Sequence, residues 1–244
     1  HLSAELLHYV PFLLKPITRE QITAWKPFEE RQNFVTIGNF LHEPNWNAVL
    51  YLKQEIWPML KKELPGAELH VYGSYCSAKA EALHAPKDRF FIMGRAADAQ
   101  AVVSKARICL APLRFGAGIK GKLVEAMQCG TPSVTTRIGA EGMHGELNWN
   151  GTIANDAATF VQAAVQLYTD KIHWQHAQQN GIRIINEFYP EKKLGEKLVE
   201  RLLTVQKQLA KHRLHNFTGA MLMHHTMNST KYLSKWIEEK NRKL

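Results

Sequence analysis

The sequence has few of the features that mark secreted, disulfide-rich or membrane-spanning proteins. Its three cysteines, Cys76, Cys109 and Cys129, lie far apart among apolar residues, whereas disulfide frameworks and zinc sites need paired or closely spaced cysteines. No apolar run reaches the roughly 20 residues of a transmembrane helix, and the first residues lack the basic and apolar segments of a secretory signal. These absences favour free thiols and a cytoplasmic location.

Acidic residues are scarce in the C-terminal part of the chain, which has 12 Lys or Arg against 5 Glu from residue 191 onward. This segment therefore carries +7 of the formal net charge of +9. A basic tail attracts nucleic acid, anionic lipid or acidic partners, and a solvated helix face rich in lysine explains it equally well. The overall composition, 45% apolar and 22% charged, is typical of a globular domain with a core.

Short β-branched runs alternate with helical patterns from residue 34 onward. The runs predict strands, most of which end at glycine, and the segments between them predict helices. This alternation is typical of βαβ units, so we predict an α/β fold, a Rossmann-like parallel sheet with helices on both faces. The predicted strands are 34–38, 69–73, 90–92, 108–111, 133–136 and 152–154, and the predicted helices are 48–64, 78–83, 98–105, 119–129, 156–168, from there to 187, and 190–214.

The two ends of the chain depart from this alternation. Residues 5–14 predict a short strand, and residues 16–31, a polar segment with two prolines, predict a linker. The last part of the chain, 231–243, has the spacing of an amphipathic basic helix. The predicted division is therefore 1–31, a Rossmann-like domain at 32–189, and a helical basic extension at 190–244.

Glycines follow four of the predicted strands, at Gly38, Gly73, Gly94, and the pair Gly116 and Gly118. In an open parallel sheet, ligands bind outside these carboxyl ends, and glycine lets the backbone approach a ligand closely. The last pair lies in a turn that runs directly into a helix, whose free N–H groups and dipole favour an anion. We therefore predict phosphate binding at this turn, the alternative being a tight structural connection.

Three charged residues accompany this turn. Lys120 and Lys122 fall in the predicted first turn of the helix, where they oppose the helix dipole unless a phosphate group lies beside them. Glu125 lies on the same helix face, and its carboxylate suits the hydroxyls of a ribose. The alternatives are two solvated lysines and a weak surface pair between Lys122 and Glu125.

The histidines do not form a pattern typical of a metal site. His42 follows the first strand and could approach the ligand cleft, whereas His70 lies within a strand and is expected to pack in the sheet. His224 and His225 are adjacent but have no carboxylate or cysteine nearby in the sequence. We therefore assign no metal site.

The segment PLRFGAGIKGKLVEAMQCGTP, residues 112–132, resembles the signature of the retaining glycosyltransferases of group 1, also called family 4, which have the GT-B fold. Residues 34–73, with the turn Glu43, Pro44 and Asn45, resemble the start of that family's C-terminal domain. Residues 91–94 and 138–143 resemble two further loops of the family. The resemblance covers about residues 34–189 and is most specific around Glu125.

The resemblance implies roles for individual residues. Glu125 would hold the ribose, and Lys120 or Lys122 would balance the leaving diphosphate in place of a metal ion. Gly38 would let the diphosphate approach the first strand. The implied catalytic residues are Lys120, Lys122 and Glu125, and the implied donor-binding residues are Gly38, Asn39, Met93, Gly94, Arg114, Gly116, Ala117, Gly118, Ile119 and Glu125.

Two departures from the family pattern affect these expectations. Many members have a glutamate at the position of Ala117, so direct contact between a carboxylate and the donor sugar is in doubt here. Many members also have an Arg and a Lys after the first strand, where residues 39–43 contain neither. The second departure places more weight on Lys120 and Lys122.

The family implies a transferase that moves a sugar from a UDP- or GDP-sugar, with retention and no cofactor, to a glycan or lipid-linked acceptor in polysaccharide biosynthesis. Its acceptor-binding N-terminal domain would be absent, apart from an end and linker at 1–31, so the isolated chain should be inactive. Two alternatives stay open: a GT-B nucleotide-sugar epimerase, and a non-enzymatic basic module. The tail lacks interleaved aromatics, so we expect no nucleic acid but peripheral contact with the inner membrane face.

Overall fold

The computed structural model describes residues 4–223 and 226–242. In this part of the chain, six strands form one parallel sheet in the order β3-β2-β1-β4-β5-β6. This is the strand order of a Rossmann-like fold, and the predicted fold class is confirmed. The strands are β1 Gln32–Ile37, β2 Leu69–Tyr72, β3 Phe90–Gly94, β4 Ala106–Ala111, β5 Ser133–Thr135 and β6 Gly151–Ile153.

Helices cover both faces of the sheet, which explains why the central strands are apolar on both sides. Each predicted strand has a counterpart, and Asp98 and Asp156 are the N-caps of the helices predicted at 98–105 and 156–168. The helices over residues 19–183 are α1 Arg19–Ala24, α2 Glu43–Tyr51, α3 Trp57–Glu63, α4 Ala78–Glu81, α5 Ala99–Val103, α6 Gly121–Gln128, α7 Arg137–Ala140, α8 Ala157–Thr169 and α9 Lys171–Arg183.

The predicted helix 48–64 begins earlier than expected, at Glu43. Pro44 lies in its first turn, where proline is favoured because its missing N–H would have had no partner. A π-helical segment, Leu52–Ile56, joins α2 to α3 without a break. The start of α2 therefore lies beside the end of β1, at the carboxyl edge of the sheet.

The predicted strand at residues 5–14 is wrong. Residues Ala4–Leu6 form a 3-10 turn, and Leu14 makes a single isolated bridge to Pro190. This segment is mostly apolar, but a strand also needs a neighbouring strand along its length, and the described residues supply none.

The polar segment at residues 16–31, predicted as a linker, contains regular structure. Thr18 and Gln21 form a capping box that starts α1, and Ile17 is buried. Arg31 is fully buried, and its guanidinium donates to the Cys129 carbonyl at 3.0 Å and to the Thr131 hydroxyl at 2.7 Å. Burial lowers the pKa of Arg31 to about 10, so the side chain stays charged while it fastens the segment to the domain.

By contacts, Pro11–Glu191 form one compact unit, and a second consists of the described parts of 1–10 and 192–244. The second unit contains most of α10 Glu191–Lys207, followed by α11 Leu209–His215, α12 Phe217–Leu222 and α13 Thr226–Asn241. The predicted helical C-terminal region is thus confirmed, whereas the domain division remains a prediction. His224, His225 and Lys243 lie outside the described residues. None of the described helices is long and apolar enough to cross a membrane.

Candidate functional site

A cavity of about 320 Å³ lies at the carboxyl edge of the sheet, between the ends of β1 and β4. Adjacent parallel strands bring their following loops together at this edge, so residues far apart in sequence share the cavity. Seven of the predicted site residues line it: Gly38, Gly116, Ala117, Ile119, Lys120, Lys122 and Glu125. The other lining residues are Ile37, His42, Pro44, Asn45, Leu113 and Gly121.

The turn before α6 depends on its two glycines. Gly116 has a φ of +127° and Gly118 a φ of +74°, values that residues with a Cβ rarely adopt. A Cβ added to Gly116 would also lie 3.4 Å from Pro44 at the start of α2. These glycines allow the chain to leave β4, fold back beside the loop after β1, and enter α6 at the cavity.

Helix α6 begins without a side-chain cap from any described residue. It starts at Gly121, so Lys120 is the N-cap rather than part of the first turn as predicted. The Leu123 and Val124 amides bond to the Lys120 carbonyl at 2.9 and 3.3 Å, while Lys122 remains in the first turn. The positive end of the helix dipole and two ammonium groups therefore occur together at the cavity.

The ammonium of Lys122 is directed towards the loop after β1. Its Nζ donates to the Asn45 Oδ1 at 2.8 Å, and a Cβ on Gly38 would approach this Nζ to 2.9 Å. Burial lowers the pKa of Lys122 to about 8. The surface pair between Lys122 and Glu125, one of the sequence alternatives, is not among the ion pairs of the described residues.

Lys120 and Glu125 border the same cavity in different electrostatic settings. The Lys120 Nζ donates to the Gly118 carbonyl at 2.6 Å, and burial lowers the pKa of this lysine while Glu141 opposes the change. Burial raises the pKa of Glu125, and the charge of Asp98 adds to the effect. A partly desolvated carboxylate gains from hydroxyl donors, which restore the hydrogen bonds that water no longer provides.

Five predicted donor-binding residues do not line the cavity. The Arg114 guanidinium donates to the Asn47 Oδ1 at 2.8 Å and stacks 4.8 Å above the Tyr51 ring, which holds it against α2. The Asn39 Oδ1 accepts from the Leu41 amide at 2.7 Å within its own loop. Met93, Gly94 and Gly118 lie elsewhere at the same edge, and the roles predicted for all five remain predictions.

Pro44 and Asn45 are cavity residues to which the sequence assigned no role. The sequence signal that could have identified them is the turn beside the first strand, which resembles the family but carries no assigned function. His42 does line the cavity. His70 is half-buried in β2 with its Nε2 2.9 Å from the Glu68 carboxylate, as expected for a residue packed in the sheet.

The cysteines and acidic residues add no second reactive cluster in the described residues. Cys109 and Cys129 are buried, and burial raises the pKa of each thiol to about 12, so both stay protonated. No group of three or more His, Cys, Asp or Glu side chains in the described part of the chain could hold a metal ion.

Comparison with known proteins places this site in a family. The family model described as "Glycosyl transferases group 1" matches residues 31–170. An "uncharacterized 44.6 kDa protein in cps region" of Klebsiella pneumoniae is 27% identical over 180 residues, which are 66% of this chain and 44% of that protein. This chain therefore spans less than half the length of that relative.

Solved structures share the fold at low sequence identity. A crystal structure of a variant of S. aureus TarM with fondaparinux, alpha-GlcNAc-glycerol and UDP has a TM-score of 0.60 at 15% identity, covering 79% of this chain and 38% of TarM. The pneumococcal O-GlcNAc transferase GtfA, solved with UDP and GlcNAc, has a TM-score of 0.56 at 19% identity, covering 80% of this chain and 38% of GtfA. Since the family match extends over more than half of the chain, this protein belongs to the group 1 glycosyl transferases, with a Rossmann-like half of a GT-B fold.

Proposed function

We propose that this chain is the donor-binding part of a retaining family 4 glycosyltransferase. It would bind a nucleoside diphosphate sugar in the cavity between β1 and α6 and take part in transferring the sugar to an acceptor. The observation that supports this proposal most directly is the convergence of Lys122, Lys120 and the uncapped start of α6 on one cavity that also contains Glu125.

The electrostatics of the cavity fit the departure of a nucleoside diphosphate. When the bond between the sugar and the diphosphate breaks, negative charge develops on the leaving diphosphate. Positively charged groups fixed in advance near these oxygens stabilise that charge without reorganising. Lys122 and the first turn of α6 would supply this stabilisation, Lys120 would assist, and Glu125 would accept hydrogen bonds from the ribose hydroxyls.

The relatives suggest which donor and acceptor to test first. The TarM and GtfA structures contain UDP, as does a structure of Anabaena HepE with UDP and glucose, which has a TM-score of 0.56 and 14% identity over 80% of this chain and 55% of HepE. UDP-sugars are therefore the first donors to test, with GDP-sugars second. The cps-region relative supports a glycan or lipid-linked acceptor in polysaccharide biosynthesis.

Titration calorimetry with UDP, GDP and their sugars tests donor binding by the 244-residue chain. We expect saturable UDP or GDP binding that Glu125→Ala weakens. Absence of binding at millimolar concentrations of all these compounds, together with no effect of Glu125→Ala, would exclude the proposal. Product analysis of a full-length enzyme with and without acceptor separates transfer from epimerisation, because epimerisation needs no acceptor.

The exposed face of α13 favours a second, accessory function. Tyr232, Leu233, Trp236 and Ile237 are 66, 56, 60 and 44% exposed, and their spacing places them on one side of the helix. Lys231 and Lys235 lie on the other side, together with Glu238. Helices with aromatic and aliphatic residues on one face and Lys on the other lie in membrane interfaces, so we propose peripheral binding of α13 to anionic membranes.

Co-sedimentation with lipid vesicles tests this accessory function. We expect the chain to bind phosphatidylcholine vesicles that contain phosphatidylglycerol and to bind pure phosphatidylcholine vesicles much less. Trp236→Ser should weaken the binding, whereas Ile172→Ser, at an exposed apolar residue of α9, should not. Binding that is independent of anionic lipid or of Trp236 would remove this proposal without affecting donor binding.

A further inference from the structure

The side-chain amide of Asn45 connects three segments around the cavity. Asn45 lies in the first turn of α2, and its Nδ2 donates to the Asn39 carbonyl in the loop after β1 at 3.1 Å. Its Oδ1 accepts from the Lys122 Nζ, at the start of α6, at 2.8 Å. The backbone amide of Asn45 also bonds to the His42 carbonyl at 2.8 Å, so the residue is held at both its backbone and its side chain.

The two partners of the amide fix its orientation. A backbone carbonyl can only accept hydrogen bonds and an ammonium can only donate them. The Nδ2 must therefore face Asn39 and the Oδ1 must face Lys122, because the flipped amide would place donor against donor and acceptor against acceptor. The carbonyl end of Asn45 is consequently held on the lysine.

Gly38 provides the space for this arrangement. A Cβ at Gly38 would lie 2.7 Å from the Asn45 Nδ2 and 2.9 Å from the Lys122 Nζ, distances at which these groups would have to move. The absence of a side chain at the end of β1 thus lets the amide and the ammonium pack directly against the strand.

Asn45 holds the ammonium without neutralising it. A carboxylate in its place would accept the same hydrogen bond from Lys122, but it would compensate the charge of the lysine and could not donate to the Asn39 carbonyl. Among the described residues, no Asp or Glu forms an ion pair with Lys122. The full charge therefore remains available to an anion that enters the cavity.

We propose that Asn45 is a positioning residue that holds the Lys122 ammonium, still uncompensated, in place for the diphosphate of the donor. This inference rests on the proposed function. It assigns to Asn45 a neutral acceptor role that an aspartate cannot fill, although aspartate has nearly the same size and shape.

The test compares Asn45→Asp and Asn45→Ala with the wild-type chain by chemical-shift titration with UDP and, in parallel, with uridine. We expect Asn45→Asp to weaken UDP binding at least tenfold and Asn45→Ala to weaken it less, with uridine binding unchanged. Asn155→Asp is the matched control, because Asn155 accepts from the Arg137 amide at the same sheet edge through its Oδ1, a contact that aspartate can keep. This control should leave UDP binding within about twofold.

A second readout needs no ligand. The 13Cε shift of Lys122, followed against pH, reports its titration directly, and Asn45→Asp should move the midpoint upward, whereas Asn155→Asp should not. Thermal melts confirm folding, and Asn45→Ser replaces any variant that fails to fold. Unchanged UDP affinity and an unchanged Lys122 midpoint in both Asn45 variants would overturn the positioning role alone. Failure of the wild-type chain to bind UDP, GDP or uridine would overturn the proposed function together with it.

Discussion

Helices α6 and α9 begin in opposite ways. At α9 the Asp170 Oδ1 accepts from the His173 amide at 3.0 Å, and α5 and α8 also begin after an aspartate cap. At α6 the N-cap is Lys120, and no described side chain caps the helix. An aspartate cap stabilises a helix by about 1 kcal/mol, and acidic residues near a helix start add to this stabilisation.

The difference agrees with the proposal that α6 gives up stability in order to bind the donor diphosphate. An aspartate at the start of α6 would satisfy its free amides, but it would also occupy the place of an anionic ligand. The two lysines instead add positive charge to the positive end of the helix dipole, an arrangement that becomes favourable when a diphosphate is bound. The starts of α5, α8 and α9 do not line the cavity, and each is capped by an aspartate.

The largest effect is expected from removing the charge of Lys122. Lys122→Met should weaken UDP binding about 10- to 100-fold, since hydrogen bonds to charged groups contribute about 1.5–3 kcal/mol. At pH 7 the same variant should be more resistant to denaturant, because it no longer buries an ammonium. Calorimetry and urea unfolding measure the two effects.

Lys61→Met is the control for this prediction. Lys61 lies on α3 and pairs with Asp88 at 2.8 Å, away from the cavity. Its removal should change neither UDP affinity nor stability appreciably, as is usual for exposed ion pairs. Equal loss of UDP affinity in the two variants would indicate a general charge effect and not a site.

A smaller effect is expected when the N-cap of α6 is changed to an aspartate, the residue that caps α9. Lys120→Asp should stabilise the unliganded chain by about 1 kcal/mol through capping and weaken UDP binding roughly tenfold, because a carboxylate would lie where we propose that the phosphates bind. On one sample, urea unfolding measures the expected gain in stability and calorimetry measures the expected loss of UDP affinity. A variant that is more stable and binds UDP unchanged would contradict the assignment of α6 as the diphosphate site.

The pH dependence of UDP binding should be similar to or smaller than the effect of Lys120→Asp. Because the pKa of Lys122 is lowered to about 8, the ammonium is lost as pH rises through that value. UDP affinity should therefore fall between pH 7 and 9, by about tenfold for a single proton linked to binding. The fall should disappear in Lys122→Met, and a wild-type profile that is flat over this range would argue against a role for this lysine.

Lys122 should also make the free energy of unfolding depend on pH, and this dependence has the opposite sign to that of UDP affinity. Its folded pKa is below the ordinary value of 10.5, so between about pH 8 and 10.5 the unfolded chain binds more protons than the folded chain. Its contribution to the free energy of unfolding should therefore rise with pH across this window. The measurement is the difference between wild type and Lys122→Met in urea unfolding at pH 7 and pH 9.5.

The smallest effect is expected at the capped helix. Asp170→Ala should lower stability by about 1 kcal/mol, since it removes the bond to the His173 amide, and it should leave UDP affinity unchanged. Thermal unfolding and calorimetry check both expectations. Loss of UDP binding in this variant would remove the distinction between the two kinds of helix start.

Sequence reasoning succeeded where the signal was local. The short apolar runs, four of them followed by glycine, correctly predicted six strands, and the predicted helix starts at residues 98 and 156 are confirmed. The strand predicted at residues 5–14 is wrong, because this apolar run has no partner strand in the described residues. At residues 16–31 the two prolines do not prevent regular structure, because the capping box of Thr18 and Gln21 begins α1 between them.

By itself, the sequence determined the alternation of strands and helices, the glycine turn before α6 and the basic start of that helix, because each depends on residues close together in the chain. Only the tertiary structure decided that β1 lies beside β4, and this order brings Asn45 to Lys122 across 77 positions. The lowered pKa of Lys122 follows from the same packing, since desolvation depends on every segment that surrounds the ammonium.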